Sequence, residues 1–432
     1  MAVIEFRNPR GQGQDNQPFD TPDWEEGSSE YGEYGEPEEA YSIQEDRNPR
    51  GSLDYDDTAD RRRRRSLLRT VGVTALGILA AVVLGLLIRD RTYSRASFNN
   101  VADYEALDAA TYCNLDGCIL AYSRDGASCM DDSGKKIWNL TYEMEQPIIS
   151  IDGGVAAIGD YNGSIIYLVN KEKTLNTVNT NMPIRALCVS ESGEVAAVLD
   201  DTDVTWIYLY GSDSEPIAYF KTTMKQSGYP LSVSISPNGE LVGVSFLMSE
   251  NSRIKTSIAF YNFGAVGQNA LENNVSAFNF DEEVFPYIHF INSDTLIAVS
   301  DSRIAFFKGN QIPQNGANNM FKENLEGVFC GQQYTALLFP DTTGEYQYEI
   351  QVFDANGEKT GTIRFTMDYT SIQVARDRII VNNDTDCMIF SVTGKKRYEG
   401  KFDANVRILI PSENPARMTL VTSGAVERMT LQ

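Results

Sequence analysis

The feature that most constrains the fold is a repeated pattern of short apolar runs in the C-terminal three quarters of the chain. From residue 105 onward, runs of four to seven residues rich in Val, Ile, Phe and Tyr alternate with turns of Asp, Asn, Gly, Ser and Pro. Helical periodicity is weak there, so the pattern predicts β-strands. The runs group into units that begin near Pro147, Pro183, Pro230, Pro286, Leu325, Thr370 and Asn405.

The spacing of these units predicts the architecture. Unit starts lie 35 to 56 residues apart, which brackets the length of a four-stranded propeller blade. One further unit precedes Pro147, and the last unit has three clear strands. We therefore expect an all-β β-propeller of eight blades, or seven if two irregular units merge. Residues near 98–106 are expected to supply the missing outer strand and close the ring, which would protect the sheet edges.

Three turns carry a family resemblance. Residues 131–138 (DDSGKKIW), 354–361 (DANGEKTG) and 392–400 (VTGKKRYEG) resemble the turn between the third and fourth strands of quinoprotein-type propeller repeats, with a more distant likeness to WD40-like repeats. In that family a turn glycine and an outer-strand tryptophan dock neighbouring blades. Only Trp138 matches the tryptophan.

A second feature is the uncharged stretch 70–88, TVGVTALGILAAVVLGLLI. As a helix it would extend roughly 28 Å, close to the roughly 30 Å hydrocarbon thickness of a bilayer. Arginines are more frequent before the stretch than after it, which predicts a cytoplasmic N-terminus and an external C-terminal domain. The arginines expected to set this topology are Arg61, Arg62, Arg63, Arg64, Arg65 and Arg69.

The sequence thus predicts three regions: a disordered acidic cytoplasmic tail (1–60), a basic flank with a single transmembrane helix (61–95), and an extracellular propeller (96–432). Over 61–432 this arrangement resembles an uncharacterised family of bacterial single-pass membrane proteins, found mainly in Gram-positive anaerobes. Those proteins combine a cytoplasmic tail and one span with an external propeller-like domain. The resemblance implies localisation in the cell membrane and no known activity.

Charge supports the division and limits the function. Residues 1–60 carry 17 acidic residues against four arginines, and residues 96–432 carry a net charge of −18. The acidic surroundings argue against nucleic-acid binding, which needs a basic field. The tail has too few aliphatic residues to form a core.

Two short patterns suggest interactions outside the propeller. The pentapeptide RNPRG occurs twice in the tail, either as a bivalent docking site for a cytoplasmic partner or as a duplication without a reader. Its arginines are Arg7, Arg10, Arg47 and Arg50. In the predicted span, Gly77, Ala81 and Gly85 recur every four residues and form a small-residue face through which two helices could pack as a homodimer.

Sites for chemistry are sparse. His289 is the single histidine, so a His-based triad or a multi-histidine metal site is excluded, and we expect it to be structural. Cys113 and Cys118 flank the turn NLDG and could form a disulfide across a hairpin, or remain free thiols. The acidic segments 200–203 and 384–386 resemble fragments of calcium loops but lack the closing glutamate. We expect no catalytic residues, bound cofactor or metal.

The sequence therefore favours a membrane-anchored, non-catalytic binding or scaffold module that recognises a protein or cell-wall glycan through propeller loops. The insertions 250–257 and 310–324 are candidate contact loops. One alternative is a transmembrane sensor that relays external binding to the tail. A second is a quinone-dependent or hydrolytic enzyme, for which the tryptophans Trp24, Trp138 and Trp206 offer little support.

Overall fold

A computed structural model describes residues 4–6, 71, 73–77, 91–105, 109–202, 204–223, 227–250 and 253–432. The described residues form eight antiparallel sheets, which are the blades of a propeller. Blades 1 to 4 contain, in order, β3 (Thr111–Leu115), β4 (Cys118–Tyr122), β5 (Gly126–Met130) and β6 (Lys136–Thr141); β7 (Pro147–Asp152), β8 (Val155–Asp160), β9 (Ile165–Asn170) and β10 (Thr174–Asn179); β11 (Ile184–Val189), β12 (Val195–Asp201), β13 (Val204–Tyr210) and β14 (Pro216–Thr222); and β15 (Tyr229–Ile235), β16 (Leu241–Glu250), β17 (Arg253–Asn262) and β18 (Asn274–Asp281).

Blades 5 to 8 follow the same plan. They contain β19 (Tyr287–Asn292), β20 (Thr295–Val299), β21 (Arg303–Lys308) and β22 (Gln314–Met320); β23 (Gly327–Cys330), β24 (Tyr334–Pro340), β25 (Tyr348–Asp354) and β26 (Lys359–Phe365); β27 (Ser371–Ala375), β28 (Arg378–Asn382), β29 (Asp386–Ser391) and β30 (Lys396–Lys401); and β31 (Val406–Pro411), β32 (Arg417–Thr422) and β33 (Ala425–Leu431) with β2 (Ala96–Asp103). Two 3₁₀ turns, Gly267–Asn269 and Leu271–Asn273, join β17 to β18.

The core lies between the blades. The buried apolar side chains form eight clusters, each of which joins residues of two neighbouring blades. The second strands are buried along most of their length, as in β8 (VAAIGD), because each is covered on both faces by the adjacent blades. The short, nearly continuous apolar runs of the sequence are the result of this double burial.

The N-terminal part of the domain closes the ring. β2 pairs with β33 from Ala96–Leu431 to Asp103–Ala425, and the rings of Phe98 and Phe402 meet edge to face at 6.5 Å. The prediction that residues near 98–106 complete the last blade is confirmed, with the strand displaced to begin at Ala96. The eight-bladed alternative is thus the one observed.

The turns that carried the resemblance occupy their predicted place. Asp131 Oδ1 accepts hydrogen bonds from the amides of Ser133 and Lys135, at 2.9 and 3.0 Å. Gly134 follows with φ of 79°, a left-handed conformation that glycine adopts without strain. The indole Nε1 of Trp138 donates to the Asn170 carbonyl on blade 2 at 2.8 Å, so this tryptophan docks the neighbouring blade.

The strands define two faces. The upper face carries the loops between second and third strands and the loops that lead to the next blade. The lower face carries the remaining loops and receives the chain before β2. There the amide of Tyr93 donates to the Arg397 carbonyl at 2.7 Å, and Arg95 and Gln432 exchange backbone hydrogen bonds of 2.8 and 3.2 Å.

A short strand from the tail differs from the expectation of disorder. β1 (Ile4–Phe6) pairs antiparallel with β14, opposite Phe220, Tyr219 and Ala218. An outer strand leaves unpaired backbone groups that a β-forming tripeptide can satisfy. The rest of the predicted tail lies outside the described residues.

Candidate binding site at the upper mouth of the propeller

Arg185 organises a polar cluster where the inner strands reach the upper face. Its Nε donates to Asp200 Oδ2 at 2.5 Å across the β11–β12 pair. On blade 2, its Nη1 donates to the hydroxyl of Tyr161 at 3.1 Å and to the side-chain oxygen of Asn162. The guanidinium carbon also lies 5.3 Å from the centre of the Tyr161 ring, within cation–π range. Arg185 therefore joins blades 2 and 3.

Tyr229 extends this group to blade 4. It is the first residue of β15 and 37% exposed. Burial raises the pKa of its hydroxyl, as does the charge of Asp200, while Arg185 opposes the increase. We call Tyr161, Arg185, Asp200 and Tyr229 the mouth cluster. The two tyrosines of this cluster lie beside the ion pair of Arg185 and Asp200, and their rings can stack on a ligand while their hydroxyls hydrogen-bond to it.

The two faces differ in charge. Among the described residues, the loops of the upper face and the strand residues that flank them contain 19 acidic and four basic residues, with 250–253 left aside. The loops of the lower face and their flanking residues contain 16 acidic and 11 basic residues, without the segment that precedes β2. The mouth cluster thus lies on a face with a net charge of −15, against −5 on the lower face.

The inner strands also hold a group of titratable side chains. The hydroxyl of Tyr287 lies 3.5 Å from Cys330 Sγ, and the rings of Tyr287 and His289 are 6.3 Å apart. Burial lowers the pKa of His289 to about 4, raises the pKa of Cys330 to about 11, and raises the pKa of Cys188. At neutral pH these thiols stay protonated and the imidazole stays neutral, so these three groups are poor nucleophiles and bases.

The predicted hairpin between Cys113 and Cys118 forms, but its register is staggered. Cys113 lies opposite Leu120, and Cys118 lies opposite Leu115. The turn is only two residues long, with φ of 47° at Asp116 and 85° at Gly117, as in a tight type I′ hairpin.

Both cysteines are free thiols, as are the other four. Cys118 is within hydrogen-bonding reach of Cys129 on β5. The register therefore does not place Cys113 and Cys118 face to face, as the sequence reasoning assumed.

Most of the other predicted site residues lie outside the described residues. Of the predicted helix-dimer face, Gly77 is described: residues 73–77 are helical and exposed. Within the described part of the chain, no helix is both long enough and apolar enough to cross a membrane. The span 70–88 stays a prediction for which the structure describes only a few residues. The remaining predicted residues, all outside the described ranges, are Arg7, Arg10, Arg47, Arg50, Arg61, Arg62, Arg63, Arg64, Arg65, Arg69, Ala81 and Gly85.

The two insertions proved to be mostly strands. The described part of the segment 250–257 belongs to the ends of β16 and β17 at the upper face, and the amide-rich part of 310–324 forms β22, an outer strand. There Asn319 Nδ2 donates to the Gly357 carbonyl of blade 6 at 2.8 Å, so one of these amides docks the neighbouring blade.

From the acidic segment 200–203, Asp200 forms the ion pair of the mouth cluster with Arg185. Across the described residues, no group of three or more His, Cys, Asp or Glu is placed to hold a metal ion.

Sequence reasoning missed Tyr161, Arg185 and Tyr229. Arg185 and Tyr229 each lie within two residues of a unit-starting proline, Pro183 and Pro230. Proximity to such a proline does not identify the cluster, because Tyr287 follows the unit-starting Pro286 and its hydroxyl lies against Cys330.

The chain resembles several solved structures at low sequence identity. Curated proteins give no match to this sequence. Among solved structures, BamB from Moraxella catarrhalis is 13% identical with a TM-score of 0.45, over 77% of this chain and 100% of BamB. AztD from Citrobacter koseri is 11% identical with a TM-score of 0.46, over 72% and 95% of the two chains. Sqt1 from Saccharomyces cerevisiae is 11% identical with a TM-score of 0.45, over 79% and 98%.

The family match covers nearly all of the propeller. It extends over residues 89–431, which includes the closing strand β2, all eight blades and the whole mouth cluster. The chain therefore belongs to DUF5711, a family of unknown function.

Proposed function

We propose that the protein is a membrane-anchored, non-catalytic binding module whose propeller lies outside the cell and binds a protein or cell-wall ligand through its upper face. The observation that carries this proposal is the separation of the mouth cluster from the chain's point of attachment. The chain joins β2 at the lower face through Tyr93 and Arg95, and the mouth cluster lies on the opposite face. A module tethered in this way presents its upper face away from the anchor.

The anchor in this proposal is the uncharged stretch 70–88. Arginines bracket it on both sides, with the larger number before it, which favours a cytoplasmic N-terminus. In this topology β1 and β14 lie on opposite sides of the membrane, so the pairing that the structure has between them would be absent from the anchored chain. The anchored form would leave the outer edge of β14 unpaired.

The chemistry of the upper face favours a ligand that carries positive charge. A net charge of −15 on that face attracts cations and speeds their approach. The mouth cluster adds two aromatic rings at the centre, and aromatic rings beside arginine are frequent anchors of binding surfaces. A lysine-rich protein segment or a glycan that bears free amines fits these features.

Non-catalytic binding is supported by the protonation of the inner-strand groups. Burial raises the pKa of the Cys113 and Cys330 thiols to about 11, so each is far from a reactive thiolate at neutral pH. His289 has its pKa lowered to about 4, too low for efficient proton transfer near neutrality.

Site-specific photo-crosslinking in the native membrane tests the proposal. A photoreactive residue replaces Tyr229 in the full chain, and a matched control replaces the exposed Asn356 on the lower face. We expect a light-dependent adduct of defined mass from position 229 that weakens at least several-fold when Asp200→Ala is added. Adducts of equal yield from both positions, or an adduct from position 229 that is indifferent to Asp200→Ala, would contradict binding at the mouth cluster.

A further inference from the structure

The lower face has an uneven distribution of charge that the binding function leaves unexplained. On blades 3 and 4 its loops contain six acidic residues and no lysine or arginine among the described residues. On blades 7 and 8 the same face carries a group of exposed cations, which we call the basic sector. Its members are Arg95, Arg376, Lys395, Lys396 and Arg417.

Two cations of the basic sector form exposed ion pairs. Arg376 pairs with Glu413 at 3.4 Å and Lys396 pairs with Glu399 at 2.6 Å, and all four side chains are at least half exposed. Exposed pairs of this kind are weak and exchange easily with other ligands. Arg376 and Lys396 can therefore exchange these partners for groups on a surface that approaches from below.

Two buried arginines strengthen the positive field behind the sector. The side chains of Arg378 and Arg397 are 3% and 6% exposed, and both lie close to Asp377, at 4.0 and 3.1 Å. Burial lowers the pKa of Arg378, the charge of Asp377 opposes this decrease, and the nearby charges of Arg397 and Arg376 add to it. One carboxylate thus serves two buried cations, and the excess charge adds to that of the exposed residues.

The basic sector surrounds the place where the chain joins the propeller. The Tyr93 amide donates to the Arg397 carbonyl on β30, and Arg95 pairs with Gln432 beside β33. From the end of the predicted span at residue 88 to Tyr93 there are five residues. Fully extended, they reach at most about 18 Å, so the anchor would hold the sector close to the bilayer.

We propose that the basic sector rests on the anionic headgroups of the membrane, so that blades 7 and 8 lie against the bilayer and blades 3 and 4 are tilted away. This inference depends on the proposed membrane anchor. The short tether supplies the proximity, and opposite signs of charge supply the preference for one edge of the lower face. The contact fixes the direction in which the mouth cluster points.

Fluorescence quenching in vesicles tests the tilt. The full chain is reconstituted in phosphatidylcholine vesicles that contain about 30% anionic phosphatidylglycerol, which gives the surface a negative potential, and in phosphatidylcholine alone. A fluorophore is attached to Thr393→Cys in the basic sector or to Asp213→Cys on blade 3, both exposed positions. Headgroup-labelled quencher lipid reports proximity, and the chain without an added cysteine gives the background from native thiols.

We expect quenching at position 393 to exceed that at position 213 by about threefold in anionic vesicles and to fall with added salt. The triple change Arg376→Glu, Lys395→Glu and Lys396→Glu should abolish the difference. A control with equal charge change on the upper face, Arg124→Glu, Lys322→Glu and Lys401→Glu, should retain it.

The outcomes separate the inference from the anchor on which it depends. If alkaline extraction leaves the chain in the vesicles and positions 393 and 213 are quenched equally, the anchor stands and the tilt is wrong. The tilt is also wrong if the difference persists in phosphatidylcholine alone or survives the triple change. If alkaline extraction releases the chain, the anchor and the tilt are both wrong.

Discussion

The protonation of His289 gives a quantitative test of how the inner strands pack. His289 lies on β19 and its neighbours Ile288 and Phe290 point into the core between blades 4 and 5. Burial lowers its pKa from 6.5 to about 4. Above pH 6.5 the folded and unfolded states are both neutral at this residue. As the pH falls below 6.5, the unfolded chain binds a proton that the folded chain excludes, so the stability decreases until about pH 4.

The size of this effect follows from the displacement of the pKa. Each unit is worth about 1.4 kcal/mol, so His289 should reduce the free energy of unfolding by about 3 kcal/mol between pH 6.5 and pH 4. His289→Gln removes this dependence. Relative to the wild type, the variant should therefore gain about 3 kcal/mol on acidification across that window, whatever its packing cost at neutral pH.

A second group acts in the opposite direction and must be controlled. Burial raises the pKa of Asp152 to about 6, so its protonated form stabilises the folded state below its usual pKa and this contribution is lost as the pH rises towards 6. The wild-type curve contains both of these opposing contributions. Relative to the wild type, the stability of His289→Gln should fall with rising pH, and that of Asp152→Asn should rise.

Urea unfolding of the full chain, followed by the fluorescence of Trp138 and Trp206, measures these free energies. It is carried out at about pH 4.5, 5.5, 6.5 and 7.5, values that span the range in which His289 and Asp152 titrate. The reasoning is refuted if the difference between wild type and His289→Gln is independent of pH. That result would mean that the imidazole titrates normally and is in contact with water in the folded state.

Three further predictions concern closure, a buried ion pair and the thiols. Phe98→Ala should lower the free energy of unfolding by about 2 kcal/mol, because a largely buried ring on the closing strand is lost. Replacement of its exposed neighbour, Asn99→Ala, should change the free energy of unfolding by less than about 0.5 kcal/mol. Equal effects of the two substitutions would show that β2 does not close the ring. Glu283→Ala should cost about 3 kcal/mol because it leaves Arg303, held at 2.9 Å, without its buried partner, and a cost no larger than that of the exposed Glu282→Ala would contradict this. Ellman's reagent in urea without reductant should detect six thiols per chain, with slow reaction in the folded state, and a count of four would reveal a disulfide.

The fold could be predicted because its determinants are local. Each blade is encoded by buried second and third strands and by turns such as that at Asp131 and Gly134, whose side-chain acceptor and positive φ are visible as sequence types. The role of β2 could be inferred because the last unit lacked one strand. The β-forming sequence of β22 was obscured by its amides, which serve blade docking through Asn319.

The mouth cluster could not be predicted because it depends on the packing between blades. Tyr161, Arg185 and Tyr229 belong to the consecutive blades 2, 3 and 4 and are brought together by the packing of these blades against one another. By contrast, the staggering of Cys113 and Cys118 could have been predicted, because Asp116-Gly117 is a typical sequence of a two-residue type I′ turn, which sets the register. The contacts of the mouth cluster could not. Interactions of this kind require the three-dimensional arrangement.

The most direct test of the central claim is the side of the membrane on which the propeller lies. The full chain carries a single added cysteine, either at the exposed Glu345 on the upper face or at Ser28 in the tail, and intact cells are treated with a membrane-impermeant maleimide. We predict labelling of Glu345→Cys above the background of native thiols in intact cells, and labelling of Ser28→Cys only after the cells are opened. Labelling of both positions only in opened cells, or of Ser28→Cys in intact cells, would contradict the account.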